Sequence, residues 1–206
     1  MSNPIRIVIA DDQALVRGAL ASLLSLEPDI EVVGQVGRGD EVLGLVTSTG
    51  ASVALLDVEM PGLDGLAVAR QLRDAGLACR SLIVTTFGRP GYLRRALESG
   101  AFGFVVKDTP AHQLADAVRR VHAGLRVIDP LLATESLITG SSPLSARETD
   151  VLLALRSEGS IADVAKLLHL SEGTVRNHLS SAIGKTRARN GGEAVRIAAD
   201  NGWLLA

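Results

Sequence analysis

Apolar positions in the first part of the chain come in short solid runs, each closed by a polar or turn residue. The runs cover residues 6–10, 31–36, 53–57, 81–85 and 103–107. Runs this short, bounded by turn residues, predict strands of a parallel sheet, with 53–56 buried on both faces. Between them the apolar spacing changes to three or four, which predicts helices over 14–26, 41–46, 63–72, 92–98 and 110–121. In the first helix Leu15, Ala19, Leu20, Leu23 and Leu24 share a face. In the third, Leu66, Ala69, Arg70 and Leu72 lie near the buried stripe. Gly100 closes the fourth helix and Pro110 opens the fifth, as their backbone preferences favour. Five strand–helix alternations predict an α/β fold, a doubly wound sheet of five parallel strands.

After residue 125 the pattern changes. Residues 129–143 hold Pro130, Gly140, Ser141, Ser142 and Pro143, which reads as a linker with room for one helical turn. From Ser145 onward only helical spacing remains. Ser145 and Glu148 form a capping-box pattern ahead of Val151, Leu152 and Leu155, and Ser160 with Asp163 repeats it ahead of a helix over 164–168. A turn at 170–174 leads into a helix through Lys185, and a last helix spans 193–200. The division expected is a first domain over 1–125, a linker over 126–143 and a small all-α four-helix domain over 144–206.

Composition narrows the setting. Aromatic residues make up 2% of the chain, so the core must be aliphatic. The single cysteine, Cys79, allows no internal disulfide and no cysteine-rich metal site. No run approaches the length of a membrane span, and the N-terminus lacks a signal peptide's features, so a cytoplasmic protein without direct membrane insertion is expected. The net charge of −2 argues for neither DNA nor membrane binding by the chain as a whole. After residue 130 there are 8 basic and 8 acidic groups, but residues 176–196 hold 5 basic groups against Glu193 alone. That local excess could meet phosphates.

The chemistry gathers at the strand ends. The first strand delivers Asp11 and Asp12, the third Asp57, the fourth Thr85 and the fifth Lys107. Ligands of open parallel sheets bind beyond these ends. Singly, Asp57 could cap a turn, the Asp11–Asp12 pair could cap a helix and Lys107 could be solvated. Jointly they read as an aspartyl-phosphate site. Asp57 is the nucleophile, Mg²⁺ relieves the crowded carboxylates, and Lys107 and Thr85 hold phosphate oxygens.

Asp11-Asp12, Asp57, Met60-Pro61-Gly62, Thr85 and Val106-Lys107 resemble the receiver domain of two-component response regulators over residues 5–123. The resemblance implies a flavodoxin-like fold and phosphoryl transfer to Asp57 from a sensor histidine kinase. It implies Mg²⁺ held by Asp12, Asp57 and the backbone carbonyl of Glu59, with Asp11 acting through water. Thr85 and Phe104 would form a switch pair, the hydroxyl moving to the phosphate and the ring turning inward behind it.

Residues 162–185 fit helix-turn-helix spacing. Val164, Ala165 and Leu168 anchor one helix; Val175, Leu179 and Ile183 pin the next, leaving Thr174, Arg176, Asn177, Ser180 and Ser181 outward. Leu144-Ser-Ala-Arg147-Glu148, Leu170-Ser171, Thr174-Val-Arg-Asn-His178, Ile183 and Lys185 resemble the LuxR-type DNA-binding domain, and the combination resembles the NarL/FixJ family. Residues 85–92 and Asn201-Gly202-Trp203 are similar to the DesR-type subfamily. By the resemblance to the LuxR-type domain Arg176, Asn177 and Ser180 face bases of double-stranded promoter DNA, while Thr174 and Lys185 touch its backbone. Phosphorylation would favour a homodimer through the first and fifth helices. Thr186 departs from the usual leucine, and Gly191-Gly192 from an Arg-plus-aliphatic pair, which is expected to weaken the last helix's start. The rival reading is a phosphohydrolase working through an aspartyl-phosphate. Glu59, two residues after Asp57, argues against it, because such enzymes place a second aspartate there.

Overall fold

The computed structural model describes residues 3–86, 90–128 and 142–204, which divide into two compact units. In the first, β1 (Ile5–Ala10), β2 (Ile30–Val36), β3 (Val53–Leu56), β4 (Arg80–Thr85), β5 (Gly103–Val106) and β6 (Val127–Ile128) form one parallel sheet in the order β2-β1-β3-β4-β5-β6. The helices are α1 (Ala14–Leu24), α2 (Val42–Thr49), α3 (Gly65–Asp74), α4 (Pro90–Ser99) and α5 (Ala111–His122). β3 is buried at all four positions, which explains why its sequence runs apolar without alternation.

Ile5, Ile7, Ile9, Val53, Leu55, Leu82 and Val84 pack with Leu20, Ala21 and Leu24 of α1 and with Leu114, Val118 and Val121 of α5. Val8, Ala54, Leu56 and Ile83 alternate with these strand residues and are equally buried, as are Val42, Val46, Leu66, Val68, Ala69 and Leu72 of α2 and α3. Asp64 caps α3 by accepting from the Ala67 N–H at 2.6 Å.

Three expectations need correction. The sheet has six strands, not five: residues 127–128, assigned to the linker by pattern, pair with Gly103 and Phe104 at the sheet edge. Two residues are too short a run for periodicity to register. In α1 the apolar arc is wider than the sheet can cover. One lane, Val16, Leu20 and Leu24, packs inward, while Leu15 is 86% and Leu23 44% exposed, and Ala19 is exposed with them. In α3, Arg70 is exposed, and Val68 takes the buried place beside Ala69. The linker's helical turn lies outside the described residues.

The second unit holds α6 (Ala146–Glu158), α7 (Ile161–Leu167), α8 (Glu172–Thr186) and α9 (Gly191–Asp200). Each start is capped by a side chain: Ser145, Ser160, Ser171 and Asn190 accept from the N–H of Glu148, Asp163, Thr174 and Glu193. Two small cores hold them together. One is Val151, Ala154, Val164, Ala165 and Val175; the other is Leu152, Ala182, Ala194, Ala198 and Leu204. Gly191 does not simply weaken α9. A Cβ there would stand 3.1 Å from Leu155 Cδ2 and 3.3 Å from Leu179 Cδ1, so the glycine lets α9 approach closely, and the Asn190 cap offsets its poor propensity. Thr186 is buried and satisfies its hydroxyl by donating to the Ala182 carbonyl at 2.8 Å.

Candidate functional site

The strand order reverses between β1 and β3, which opens a crevice at their carboxyl ends. Ala10 is level with Leu56, and the Asp57 N–H donates to the Ala10 carbonyl at 2.9 Å. Asp11 and Asp57 therefore emerge side by side. Across the sheet, Thr85 is level with Val106, and the Lys107 N–H donates to the Thr85 carbonyl at 2.8 Å. Register thus delivers acid, acid and amine to one rim.

Lys107 Nζ donates to Asp57 Oδ2 at 2.8 Å and lies 2.8 Å from Asp11 Oδ2. Asp11 and Asp57 are buried, and Asp12 is exposed at the mouth. One oxygen from each of Asp11, Asp12 and Asp57 lies within 4.8 Å of the others. Asp57 Oδ1 accepts from the Val58 N–H at 2.7 Å, and Asp11 Oδ1 from the Gln13 N–H at 2.9 Å. Burial pushes the Asp57 carboxyl above its ordinary value; Lys107 opposes this and the Asp11 charge adds to it. Burial pulls Lys107 down, but its hydrogen bond to Asp57 and the negative charges of Asp57 and Asp11 outweigh that and hold it above its ordinary value.

One ammonium among three carboxylates leaves negative charge uncompensated. Asp11 Oδ2 is buried and, despite the nearby ammonium, has no aligned hydrogen-bond donor. Oxygen-only donors with an orphaned buried oxygen fit a hard divalent cation such as Mg²⁺. The Glu59 side chain is exposed and outside this cluster, which is compatible with the backbone-carbonyl role expected of it. Thr85 is fully buried beneath the rim. Phe104 is 1% exposed, so its ring is enclosed in the structure as it stands.

Two residues escaped the motif reading. Arg17 Nη1 donates to the Asp11 carbonyl at 2.5 Å, tying α1 to the acid pair. At Gly65 a Cβ would stand 2.0 Å from the Asp57 carbonyl oxygen. Only glycine fits there, and its place beside the Asp64 cap was the one signal in the sequence. Gly65→Ala must push the Asp57 loop outward, and is expected to cost about 2–3 kcal/mol in urea melts.

In the helical unit, Val175 and Ala182 are buried while Leu179 and Ile183 are half-buried against the cores, leaving Arg176, Asn177 and Ser180 exposed on α8. Thr174 is half-buried and shares a 2.8 Å hydrogen bond with Ser171. Ser181 is exposed as expected, but its hydroxyl donates to Glu148 Oε1 at 2.7 Å. Lys185 Nζ, expected at the DNA backbone, donates to Glu148 Oε2 at 2.7 Å. Arg176 pairs with Glu172 at 2.7 Å.

Three carboxylates and a lysine at the strand ends of a doubly wound sheet, followed by a helix-turn-helix unit, form the layout of a DNA-binding response regulator. Residues 7–119 match the response regulator receiver domain, and residues 142–198 match the bacterial regulatory proteins of the luxR family. The chain belongs to the response regulators that join these two domains, and it is a transcriptional regulator of a two-component system. It is 42% identical over 200 residues to the uncharacterized transcriptional regulatory protein YvfU of Bacillus subtilis, covering 97% of this chain and 100% of the relative. It is 40% identical to the transcriptional regulatory protein DesR of the same organism, covering 97% and 99%. The crystal structure of response regulator ChrA from a heme-sensing two-component system superposes with a TM-score of 0.60 at 33% identity, covering 96% and 98%. Nothing in these matches supports the phosphohydrolase reading. No helix among the described residues is long and apolar enough to cross a membrane.

Proposed function

We propose that a sensor histidine kinase transfers a phosphoryl group to Asp57 in the cytoplasm, and that the modified protein binds promoter DNA as a homodimer. In the transfer a carboxylate oxygen of Asp57 forms the new O–P bond as the P–N bond of the kinase phosphohistidine breaks, releasing imidazole. Asp11, Asp12 and Asp57, with the Glu59 carbonyl, would hold Mg²⁺, which supplies charge neutralisation at the phosphoryl oxygens when bound. Lys107 stays charged and binds an oxygen of the product, and the Thr85 hydroxyl binds another, with Phe104 filling the space behind it. The observation that carries this reading is Lys107 Nζ held at 2.8 Å from both Asp11 and Asp57 at the strand ends.

The proposed receiver runs from residue 1 through β6 and the DNA-binding domain from 144 to 206. Arg176, Asn177 and Ser180 would meet base edges and Thr174 the backbone; Lys185 would have to leave Glu148 to do likewise. The exposed lane of α1, with Leu15 and Leu23, continues to Leu26, which is 79% exposed, and offers an apolar seat for a second copy beside α5. Adding acetyl phosphate is expected to shift the protein to a dimer in light scattering and to strengthen its retardation of a DNA duplex in a gel shift. Leu15→Asp with Leu23→Asp should remain monomeric after phosphorylation while keeping its melting temperature. A wild-type protein whose mass and DNA binding ignore acetyl phosphate would sink the proposal.

A further inference from the structure

We infer that Arg187 is an additional contact to the DNA phosphate backbone at the C-terminal end of α8, an inference that rests on the DNA-binding reading of that helix. α8 ends in a Schellman closure. The Ala188 N–H donates to the Ile183 carbonyl at 3.0 Å and the Arg187 N–H to the Gly184 carbonyl at 3.2 Å. The closure puts Arg187 at φ 55 and ψ 30, the left-handed conformation in which glycine is the default. Only one other non-glycine among the described residues has positive φ, His169, a side-chain type that tolerates it better. An arginine at such a position carries a strain that its own domain does not require.

The charge bookkeeping singles out the same residue. Of the five basic groups between 176 and 196, Arg176 pairs with Glu172, Lys185 with Glu148, and both Arg189 and Arg196 with Glu193. Arg187 is exposed and has no carboxylate partner among the described residues. Steps of three and four carry the exposed lane of Asn177 and Ser180 to Gly184 in the last turn, and Arg187 is the exposed residue just past the helix end. Gly184 leaves the lane unobstructed, since nothing lies within 4 Å of where its Cβ would be. A cation at the end of a lane that enters a groove meets the phosphates bordering it. The competing role for Arg187 is to stabilise the helix through its C-terminal dipole, and the two roles predict different measurements.

The test uses the full chain, a short mixed-sequence DNA duplex and fluorescence anisotropy over a range of salt concentrations. Binding to such a duplex is dominated by phosphate contacts, so no promoter need be known. Arg187→Gly is expected to flatten the slope of log K against log salt by about 0.9 per bound protomer. It should also weaken binding several-fold at low salt. Its melting temperature, followed through Trp203, the only tryptophan in the chain, should be no lower than that of the wild type. Arg187→Lys should keep the slope. A wild-type slope in Arg187→Gly overturns the inference, and a lowered melting temperature with that slope would assign the residue to helix capping. If the wild type itself binds without salt dependence, the DNA-binding reading of α8 falls and takes Arg187 with it.

Discussion

Asp57→Asn is expected to abolish phosphate incorporation from acetyl phosphate, a drop of at least about a hundredfold read as the phosphorylated fraction in intact-mass spectra. The substitution barely changes shape. The amide oxygen can still accept from the Val58 N–H, which now bonds Asp57 Oδ1 at 2.7 Å, but its NH2 then faces Lys107 Nζ donor to donor, so the hydrogen bond to the ammonium is lost as well. What it loses is the ionised oxygen able to attack phosphorus. Asp11 and Asp12 remain, so any phosphate still incorporated would show that one of them can replace Asp57. The structure argues against that replacement. Asp11 Oδ1 is taken by the Gln13 N–H and its Oδ2 is buried 2.8 Å from the Lys107 ammonium, while Asp12 sits outside the buried pair. Residual labelling above a tenth of the wild-type level would overturn the assignment of the phosphoacceptor.

Glu148→Ala is expected to destabilise the DNA-binding half by about 3 kcal/mol, a fall in melting temperature on the order of 15 °C followed through Trp203. Glu148 is buried near the start of α6 yet accepts from the Ser145 N–H at 2.6 Å, from Ser181 Oγ at 2.7 Å and from Lys185 Nζ at 2.7 Å. Its own N–H donates to Ser145 Oγ, completing the capping box. One carboxylate thus closes the start of α6 and clamps it to α8. Glu148→Gln can keep the cap but not the ion pair, and should cost about half as much.

Burial alone would raise the Glu148 carboxyl; hydrogen bonds from Lys185, Ser181 and Ser145 outweigh it and bring the pKa down from 4.5 to about 2. The unfolded chain therefore takes up the proton first as pH falls. The clamp's contribution is complete above about pH 4.5 and is lost progressively toward pH 2. The helical half should show an acid transition in that window, and Glu148→Gln should flatten it. A wild-type protein equally stable at pH 5 and pH 3 would remove the clamp from the explanation.

The acid pocket was legible because parallel strands are buried on both faces. Solid apolar runs mark where each strand stops, and the residue after the run is the one at the rim. Asp11, Asp57 and Lys107 could be brought together on that ground with no knowledge of distance. The limits lie where a property belongs to the assembled fold. The α1 arc contains two apolar lanes, and only the packed sheet decides that Leu20 and Leu24 go in while Leu15 and Leu23 stay out. The closeness of Gly65 to the Asp57 carbonyl is likewise a through-space relation. Charge counting also misjudged α8. It sees five cations over residues 176–196, two of them on α8, whereas the fold has already spent Lys185 on a glutamate from another helix.

The two residues of β6 bear on how the receiver can be isolated. Val127 lies beside Gly103, and Ile128 beside Phe104. A fragment truncated at residue 125, the boundary expected from the sequence pattern, would strip the last strand and bare the backbone of β5 as an unpaired border. Unprotected sheet borders recruit other chains. Such a fragment would self-associate through β5, and its oligomers would mimic signalling dimers in a sizing column. Expression boundaries for the phosphoacceptor half belong beyond Ile128.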